Sequence, residues 1–348
     1  MLKSVALSNF RNYKEKEFDL TEGVNVVFGE NAKGKTNLLE AVYLLSTGDS
    51  FRARLTDEMV GFEAEYGKVH GELDHKKEII TLEVIVNRGV VMGKTVNKRK
   101  YLVDGVSKKK EGLVGFLPTV LFRPEDVEIV GGSPDGRRRL VDRLLLQVDA
   151  IYKNSLMTYE HALKRRNKIL DGIRDGAMTR YALAFWDGLL IKHGGIIQEK
   201  RRELVAFMND LFGRSEMFNK VKLELNSSSI SEARLEQYKE AEVAVGYTLV
   251  GPHKDDLLIK EGNRDLATYG SRGEKRMAML AFKMGEIYFL EKHGENKSLL
   301  LLDDIFSELD EVHKLEVLRV TKGRQVIVTT ADEKDVEMFE GANKISLS

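Results

Sequence analysis

The first 28 residues alternate apolar and polar positions with the two-residue period of β-strands. The apolar positions are Leu2, Val5, Leu7, Phe18, Leu20, Val24, Val26 and Phe28. After a short helical run, the same pattern predicts strands at residues 79–86, 90–96 and 100–103, separated by the turn sequences Asn87-Arg88-Gly89 and Asp104-Gly105. The first third of the chain is therefore predicted to be rich in β-structure.

Residues 135–214 change to leucine, alanine and charged residues at helical spacing. The pattern is interrupted chiefly near residues 171–179, which predicts an α-helical hairpin. A strand at 221–225 and a helix at 231–243 are expected to follow it. Because the residues before and after this stretch show strand patterns instead, we expect the helical part to be an insertion that forms an arm.

The last hundred residues return to strand patterns at 248–250 and 256–259, followed by a strongly helical run at 273–292. An apolar run at 299–302, a helix at 311–321 and a strand at 324–330 then form a β–α–β unit, which is typical of parallel sheets. The pattern as a whole predicts an α/β fold with a β-rich amino-terminal part.

A glycine-rich loop lies between the strand that ends at Phe28 and the helical run that opens at Asn37. Its residues are Gly29, Glu30, Asn31, Ala32, Lys33, Gly34, Lys35 and Thr36. This is the GxxxxGK[ST] phosphate loop in its strand–loop–helix context. The glycines allow backbone N–H groups to surround an anion at the helix amino terminus. Lys35 is predicted to reach the β- and γ-phosphates, and Thr36 to bind Mg²⁺.

Two carboxylates, Asp303 and Asp304, end the apolar run of four leucines. Such a run suits a strand buried on both faces of a parallel sheet, whose carboxyl end is where these sheets bind ligands. We expect Asp303 to hold Mg²⁺, directly or through water. Asp304 is the candidate to orient or deprotonate the attacking water. The alternative is a solvated acidic turn after a buried strand.

A third candidate site lies between these two, at Ser271-Arg272-Gly273-Glu274 before the helical run. Ser271 stands at an N-cap position, so its hydroxyl and nearby N–H groups can face an anion together. Ser271 and Gly273 are thus nucleotide-binding candidates, although an ordinary capped helix has the same composition. The nucleotide-binding interpretation becomes specific because of the order of the motifs. The phosphate loop comes first, then S-x-G-E, then the apolar run with Asp303 and Asp304, and last Ser307-Glu308-Leu309-Asp310.

The composition excludes several classes of protein. There are no cysteines, which removes disulfides and thiolate sites, and no run approaches the length of a membrane span, so we expect no membrane partner and a cytoplasmic location. The 55 basic and 55 acidic residues balance, so any nucleic-acid surface must be local. Candidate basic runs lie at residues 94–100, 108–110, 137–139, 164–166 and 200–202.

With these motifs in order, the chain resembles the ATP-binding-cassette ATPase heads, which are similar to those of SMC proteins, and within them the RecF family. The stretches that carry the resemblance are Asn9-Phe10-Arg11-Asn12-Tyr13, Ser50-Phe51-Arg52, Phe122-Arg123-Pro124-Glu125-Asp126, Gly132-Ser133-Pro134 with Arg137-Arg138 and Asp142, Val250-Gly251-Pro252-His253-Lys254-Asp255-Asp256, and residues 302–310. The resemblance implies an ABC-type P-loop ATPase head, formed by residues 1–134 and 246–348, with a mainly helical insertion at residues 135–245.

The resemblance also implies roles for individual residues. ATP and Mg²⁺ are the expected cofactors, and two heads are expected to enclose ATP, with Ser271 of one subunit contacting the γ-phosphate held by the other. Arg11 is expected near the outer edge of the nucleotide. Thr330 stands where many relatives carry a switch histidine, so it is either a phosphate sensor or a residue that satisfies the strand end. Asp304 replaces the usual glutamate, which suggests slow turnover.

The implied function is ATP-dependent binding of double-stranded, gapped or junction DNA by a homodimer with weak, DNA-stimulated ATPase activity. The implied partners are the recombination mediator proteins RecR and RecO, which help to load a recombinase during repair and replication restart. Two alternatives are an SMC or break-repair ATPase head and the ATPase subunit of a membrane transporter. The short spacing between Lys35 and Ser271 argues against the first, because those heads carry long coiled coils there, and the basic runs argue against the second.

Two further residues have open interpretations. His253 is either a structural histidine or a catalytic or metal-binding one. Phe51, with Arg52 and Arg54 beside it, is either a core anchor or part of a loop near nucleotide and DNA.

Overall fold

The structure is a computed structural model and describes residues 1–75, 77–294, 297–307 and 309–347. The strands are β1 Leu2–Phe10, β2 Tyr13–Asp19, β3 Val24–Phe28, β4 Tyr66–His75, β5 Glu78–Asn87, β6 Val90–Val91, β7 Lys94–Thr95, β8 Arg99–Val103, β9 Val106–Lys108, β10 Thr119–Phe122, β11 Val221–Asn226, β12 Asp256–Glu261, β13 Arg264–Asp265, β14 Leu299–Asp303, β15 Val326–Thr330 and β16 Asn343–Ser346.

The helices are α1 Lys35–Thr47, α2 Val127–Gly131, α3 Pro134–Val148, α4 Ala150–Arg174, α5 Ala184–Gly213, α6 Glu232–Val245, α7 Leu266–Tyr269, α8 Arg272–His293, α9 Glu311–Thr321 and α10 Glu333–Glu337. Among the described residues, no helix combines the length and the apolar character needed to cross a membrane.

The chain divides into two compact units, one formed by residues 1–125 with 290–348 and the other by residues 126–289. The first unit contains two large sheets, besides the two-stranded pair β6-β7. One is antiparallel, with strand order β2-β1-β4-β5-β8-β9, and the other is parallel, with order β10-β14-β15-β3-β16. This combination of a parallel and an antiparallel sheet confirms the predicted α/β ATPase-head fold class.

Helix α1 packs against strands of both sheets and is buried almost all round. Its sequence is apolar on every side, which is the pattern of a helix enclosed by protein rather than of a surface helix. Leu38, Leu39, Leu44 and Leu45 are fully buried in the core of this unit. Each such leucine contributes about 2 kcal/mol of burial free energy. The helix that follows the phosphate loop is therefore fixed at the centre of the core.

The second unit is built around α4 and α5, which pack against each other, and a three-stranded antiparallel sheet of order β11-β12-β13. Helix α5 contacts β11, and α3 contacts β12. This unit contains all of residues 135–245, the predicted insertion, and extends beyond them on both sides.

The helical stretch is divided more finely than predicted. Instead of one hairpin with one interruption, it forms α3, α4 and α5, because Asp149 ends α3 and caps α4 by accepting a hydrogen bond from the N–H of Tyr152. The interruption predicted at residues 171–179 is confirmed, since α4 ends at Arg174 and α5 begins at Ala184.

Two predicted strands were wrong. Residues 90–96 form only the two-residue strands β6 and β7, because Met92 and Gly93 both take positive φ angles and turn the chain. Residues 248–250 form no strand. The N–H of Thr248 donates to the side chain of Asn167 at 2.9 Å, so a side chain rather than a neighbouring strand satisfies the backbone there.

Candidate functional site

The phosphate loop requires its two outer glycines. Gly29 and Gly34 have φ angles of 149° and 108°, in the region that residues with a Cβ rarely adopt. A Cβ at Gly34 would lie 2.7 Å from the Tyr13 hydroxyl, and one at Gly29 would collide with the carbonyl oxygen of Leu347. The Tyr13 hydroxyl donates to the Gly34 carbonyl at 3.2 Å. The loop is thus packed closely against Tyr13 and Leu347.

Lys35 is buried, and its ammonium lies inside the loop. Its Nζ donates to the carbonyl oxygens of Gly29 at 2.5 Å and Glu30 at 2.9 Å. These carbonyls hold the positive charge at the loop. An anion that enters the loop would meet this ammonium together with the amino terminus of α1.

Asp303 is brought to this loop by the parallel sheet. The carboxyl ends of β14, β15 and β3 lie at one edge, with Asp303 paired to Thr329 and Thr330 paired to Phe28. Asp303 Oδ1 accepts hydrogen bonds from the hydroxyls of Thr36, at 3.0 Å, and Thr329, at 2.8 Å. Burial raises the pKa of Asp303 above its ordinary value. The two sequence motifs therefore lie together at this edge of the sheet.

This donor set fits Mg²⁺. A threonine hydroxyl and one carboxylate are hard oxygen ligands, and Mg²⁺ usually takes one or two protein ligands of this kind and completes its shell with phosphates and water. Within the described residues, no cluster of three histidine, cysteine or acidic side chains offers a complete protein cage for a metal. Thr36 and Asp303 are the residues that could share such an ion with a phosphate.

Asp304 takes a positive φ of 51°, a conformation that residues other than glycine seldom adopt. Its N–H donates to the backbone carbonyl of Thr329 at 3.1 Å and lies 3.2 Å from the Thr329 hydroxyl, and its carbonyl accepts the hydroxyl of Ser307 at 2.8 Å. Local strain of this kind costs about 1–3 kcal/mol and is found mostly at functional sites. The backbone therefore turns sharply directly after Asp303.

Thr330 does not share the contacts of Asp303. Its hydroxyl donates to Asp335 Oδ2 at 2.9 Å and accepts from the N–H of Asp332 at 3.0 Å, which is the strand-end arrangement left open by the sequence. The neighbouring Thr329 contacts Asp303 instead. Sequence reasoning missed Thr329, because a one-residue difference at a strand end reverses the direction of the side chain.

Glu40 is a second residue that the sequence analysis missed. Its carboxylate is fully buried in α1 and accepts hydrogen bonds from Arg11 Nε and Nη2, both at 2.7 Å, from Arg52 Nε at 3.0 Å and from the Ser50 hydroxyl at 2.5 Å. Arg52 also donates to Asn37, the first helical residue after Thr36. One signal was available, since a lone glutamate interrupts the apolar sequence of α1.

These contacts place Arg11 and Asn37 beside an open cleft of about 630 Å³. The cleft is next to the first turn of α1, and Phe62 at its wall is 96% exposed. The Arg88 guanidinium holds the loop that carries Phe62 by donating to the carbonyls of Gly61, Phe62 and Ala64 at 3.2 Å. Polar groups and an exposed aromatic ring thus surround a space beside the phosphate loop.

Phe51 is a core anchor. Its ring packs edge-on against Tyr43 at 5.5 Å and joins the core of the first unit. Its neighbour Arg52 points to Glu40, while Arg54 is exposed. The Ser50-Phe51-Arg52 stretch therefore fixes the segment after α1 by both apolar and ionic contacts.

In the second unit, Ser271 and Glu274 form a capping box at the start of α8. The N–H of Ser271 donates to Glu274 Oε2 at 2.7 Å, and the N–H of Glu274 lies 3.2 Å from the Ser271 hydroxyl. These bonds and Arg264 hold the pKa of Glu274 at about 2. Ser271 and Gly273 are exposed, and a Cβ at Gly273 would meet nothing within 4 Å. The capped helix start is therefore accessible.

The last of the predicted motifs, residues 307–310, is only partly described by the structure. Asp310 accepts a hydrogen bond from the N–H of His313 at 3.0 Å and caps α9. Glu308, in the predicted dimer segment 307–310, lies outside the described residues.

His253 has a structural environment in the second unit. Its Nδ1 accepts the Tyr159 hydroxyl at 2.7 Å, and its Nε2 lies 3.1 Å from the carbonyl of Thr248, which fixes a neutral ring with the proton on Nε2. Burial lowers the pKa of His253 to about 4. Both nitrogens are used, so the arrangement favours the structural alternative.

Three of the predicted basic runs contain a buried arginine. Arg137 pairs with Asp256 at 2.9 Å, Arg166 with Glu242 at 2.7 Å, and Arg201 with Asp255 at 2.9 Å. Each guanidinium is compensated inside the unit, so these arginines stabilise the fold and are removed from any surface. The exposed members of these runs remain candidates for contact with nucleic acid.

Comparison with known proteins agrees with these motifs. The family described as "RecF/RecN/SMC N terminal domain" matches residues 1–347. The chain is similar to "DNA replication and repair protein RecF" of Natranaerobius thermophilus, with 33% identity over 96% of this chain and 92% of the relative, and to the protein of the same name from Caldanaerobacter subterraneus subsp. tengcongensis, with 34% identity over 97% and 95%.

A solved structure gives the same result. It is described as the "recombination mediator protein RecF-ATP in RecFOR pathway" and superimposes with a TM-score of 0.86 at 32% identity, covering 96% of this chain and 92% of the other. The agreement extends over almost the whole chain and includes both compact units.

Proposed function

The chain belongs to the RecF family of DNA replication and repair proteins, and we propose that it binds ATP and Mg²⁺ at the phosphate loop and uses them to bind DNA as a homodimer. The observation that carries the proposal is the contact of Thr36 and Asp303, which joins the phosphate loop to the end of the core strand. The RecF relative of known structure is described with ATP, which supports the same ligand here.

The residues of the loop divide the binding of ATP among them. Backbone N–H groups of residues 30–36 would surround the phosphates, and Lys35 would exchange its contacts with two carbonyl oxygens for the β- and γ-phosphates. Thr36 and Asp303 would hold Mg²⁺, which when bound offsets charge on those phosphates. The cleft beside Arg11 and Asn37 has room for the rest of the nucleotide, with Arg11 at its edge.

Asp304 is the proposed residue that orients water for hydrolysis. Its position directly after Asp303, at a strained turn of the backbone, supports this role. Because aspartate is one methylene shorter than the glutamate common in cassette ATPases, its reach to the water is shorter, and we expect slow turnover. Because hydrolysis is slow, the ATP-bound dimer would remain on DNA for some time. DNA would stimulate the hydrolysis, which then returns the dimer to monomers.

The accessible start of α8 supports the proposed dimer. Ser271 accepts an internal hydrogen bond from Glu274, while its hydroxyl hydrogen can still donate to a phosphate. A helix amino terminus at the surface contributes little until an anion reaches it. The γ-phosphate held by a second copy is such an anion, and Gly273 leaves space for its approach. Hydrolysis would remove this contact and release the dimer.

DNA would be bound mainly through its phosphates. Exposed lysines of the basic runs at 94–100 and 108–110, and exposed members of the helical runs, are the proposed contacts. We propose duplex DNA at gaps or junctions as the substrate and RecR and RecO as partners that help to load a recombinase, in the cytoplasm. The wording "RecFOR pathway" for the relative supports these partners, and no observation favours a transporter.

Light scattering of the purified chain tests this proposal. We expect a monomer without nucleotide, a dimer with ATP, Mg²⁺ and a gapped duplex, and a monomer in all conditions for Lys35→Ala. Lys33→Ala is the matched control, because Lys33 is a loop lysine whose Nζ lies 3.8 Å from the exposed Glu30 and not inside the loop. A wild-type chain that stays monomeric with both ligands would contradict the proposed dimer.

A further inference from the structure

Three consecutive residues at the turn between β1 and β2 contact the phosphate loop and the helix that follows it. We call residues 11–13 the bracing turn. Each of them makes a hydrogen bond to one residue of the loop or helix, and the pairs are Arg11 with Glu40 at 2.7 Å, Asn12 with Asn37 at 2.6 Å and Tyr13 with Gly34 at 3.2 Å. The three partners are spaced by three residues, so they follow one face of α1 back to its N-cap.

The bracing turn is itself held in an uncommon backbone conformation. Arg11 has a φ angle of 54°, and its N–H donates to the carbonyl of Met59 at 2.9 Å. Asn9, just before the turn, has a φ angle of 49°, and its carbonyl accepts the N–H of Gly61 at 2.7 Å. Such conformations persist only where the surrounding structure holds them. The turn is therefore fixed by contacts outside the phosphate loop and can act as a support for it.

The contact with Tyr13 sets the direction of one peptide group of the loop. The Gly34 carbonyl accepts the Tyr13 hydroxyl and also the N–H of Leu38, at 3.1 Å, so both of its lone pairs are used. The peptide between Gly34 and Lys35 is planar and trans, so the N–H of Lys35 points opposite to this carbonyl. Lys35 is the first residue of α1, where N–H groups have no carbonyl partner within the helix. Tyr13 therefore helps to direct this N–H to the place where an anion binds.

We infer that Tyr13 is a positioning residue, whose hydroxyl holds the empty phosphate loop in the conformation that binds ATP. The inference rests on the proposed binding of ATP and adds the residue that prepares the loop for it. N–H groups of a loop bind a phosphate together only when they converge on one point. A loop that is already arranged loses less conformational entropy when the ligand binds, so its affinity is higher. Burial raises the pKa of Tyr13 to about 12, so the hydroxyl remains a donor at neutral pH.

The chain offers a closely matched pair of variants for the test. The ring of Tyr13 packs edge-to-face against Phe18, with 5.7 Å between the centroids, so Tyr13→Phe keeps the ring and removes only the hydroxyl. At the opposite end of α1, the Tyr101 hydroxyl donates to the carbonyl of the C-cap residue Gly48, also at 3.2 Å. Both tyrosines are half-buried. Tyr101→Phe therefore removes the same kind of bond from the same helix, away from the phosphate loop.

Amide hydrogen exchange without nucleotide measures the conformation of the empty loop. In Tyr13→Phe, the amides of residues 29–37 are expected to exchange about fivefold faster than in the wild type, as the loss of one hydrogen bond predicts. Tyr101→Phe should leave exchange in this segment unchanged, although both variants lose similar stability. Unchanged exchange of residues 29–37 in Tyr13→Phe, or an equal increase in both variants, would overturn the inference.

Titration with a fluorescent ATP analogue and Mg²⁺ measures the effect on binding. Tyr13→Phe should raise the Kd about fivefold, whereas Tyr101→Phe should bind as the wild type does. The kcat of Tyr13→Phe at saturating ATP should be unchanged, because bound phosphates order the loop themselves, and a merely unstable variant would not separate Kd from kcat in this way. Wild-type affinity of Tyr13→Phe would show that the inference is wrong. A wild-type chain that binds no analogue would contradict the proposed function instead, and the exchange measurement judges the inference separately.

Discussion

Thr36 and Asp303 are 267 positions apart in the sequence, and Thr36 Oγ1 lies 3.0 Å from Asp303 Oδ1. The contact exists because β3, which leads into the phosphate loop, and β14, which ends at Asp303, flank the same strand β15 in the parallel sheet. Their carboxyl ends therefore open at one edge. The candidate site depends on this sheet order, and its other contacts can be tested individually.

Thr329 is expected to support Mg²⁺ binding by holding Asp303. Thr329→Val removes the hydroxyl that donates to Asp303 Oδ1 at 2.8 Å, so the carboxylate is oriented less firmly. Loss of such an outer contact typically weakens metal affinity about 10–100-fold. We expect the Mg²⁺ concentration for half-maximal ATPase activity to rise by about tenfold.

Thr330→Val is the control for this variant, because Thr330 binds Asp335 rather than Asp303. It should change the melting temperature and leave the Mg²⁺ requirement nearly unaltered. A larger Mg²⁺ effect for Thr330→Val than for Thr329→Val would instead assign the sensor role to Thr330.

Asp304→Asn should retain ATP and lose hydrolysis. Asparagine tolerates the positive φ at this position, so the backbone is kept while the basic oxygen is removed. Removal of a positioned base typically costs about 10²–10⁴-fold in rate, and the ATP-bound dimer should persist correspondingly longer. Single-turnover hydrolysis and dimer lifetime by light scattering measure both effects. Wild-type hydrolysis by this variant would move the catalytic role to another residue.

Glu40→Gln should destabilise the first unit. The carboxylate is fully buried between Arg11 and Arg52, and a hydrogen bond to a charged group contributes about 1.5–3 kcal/mol. We expect the free energy of unfolding in urea to fall by about 2–3 kcal/mol. Glu63→Gln, at an exposed position 4.0 Å from Lys14, should change it by less than about 0.5 kcal/mol. Equal losses for the two variants would show that the buried cluster has no special stability.

His253 should make the second unit sensitive to acid. Its folded pKa, about 4, lies below the ordinary value of 6.5, so the unfolded chain binds the proton more readily. Stability from this group is complete above about pH 6.5 and is lost as the pH falls towards the folded pKa, by about 2 kcal/mol at about pH 5. Urea unfolding between these pH values measures the loss.

His253→Gln should remove this pH dependence, since glutamine does not titrate, although it lowers stability at all pH values. His161→Gln is the matched control, because His161 is exposed and its replacement should leave the acid sensitivity in place. If the His253→Gln variant keeps the full pH dependence, another group is responsible.

The sequence was enough to identify the phosphate loop and Asp303 as site residues, because each belongs to a local pattern. A glycine-rich loop between a strand and a helix, and a continuous apolar run closed by carboxylates, are each determined within about ten residues. The sequence also indicated that Asp303 stands at the carboxyl end of a parallel strand, which is where such sheets bind ligands. The helical stretch was recognised for the same reason, although the cap at Asp149 divided it further.

By itself, the sequence determined the phosphate loop, the paired aspartates, the capped helix at Ser271 and the family, since each depends on residue types at fixed spacing. Only the tertiary structure decided that Thr329 rather than Thr330 contacts Asp303, that Glu40 joins Arg11 to Arg52, and that Arg137, Arg166 and Arg201 are buried. The physical reason is that packing between distant segments sets the partner of a polar side chain. A shift of one residue along a strand, or of one face around a helix, decides whether a charged side chain lies at the surface or in a buried ion pair.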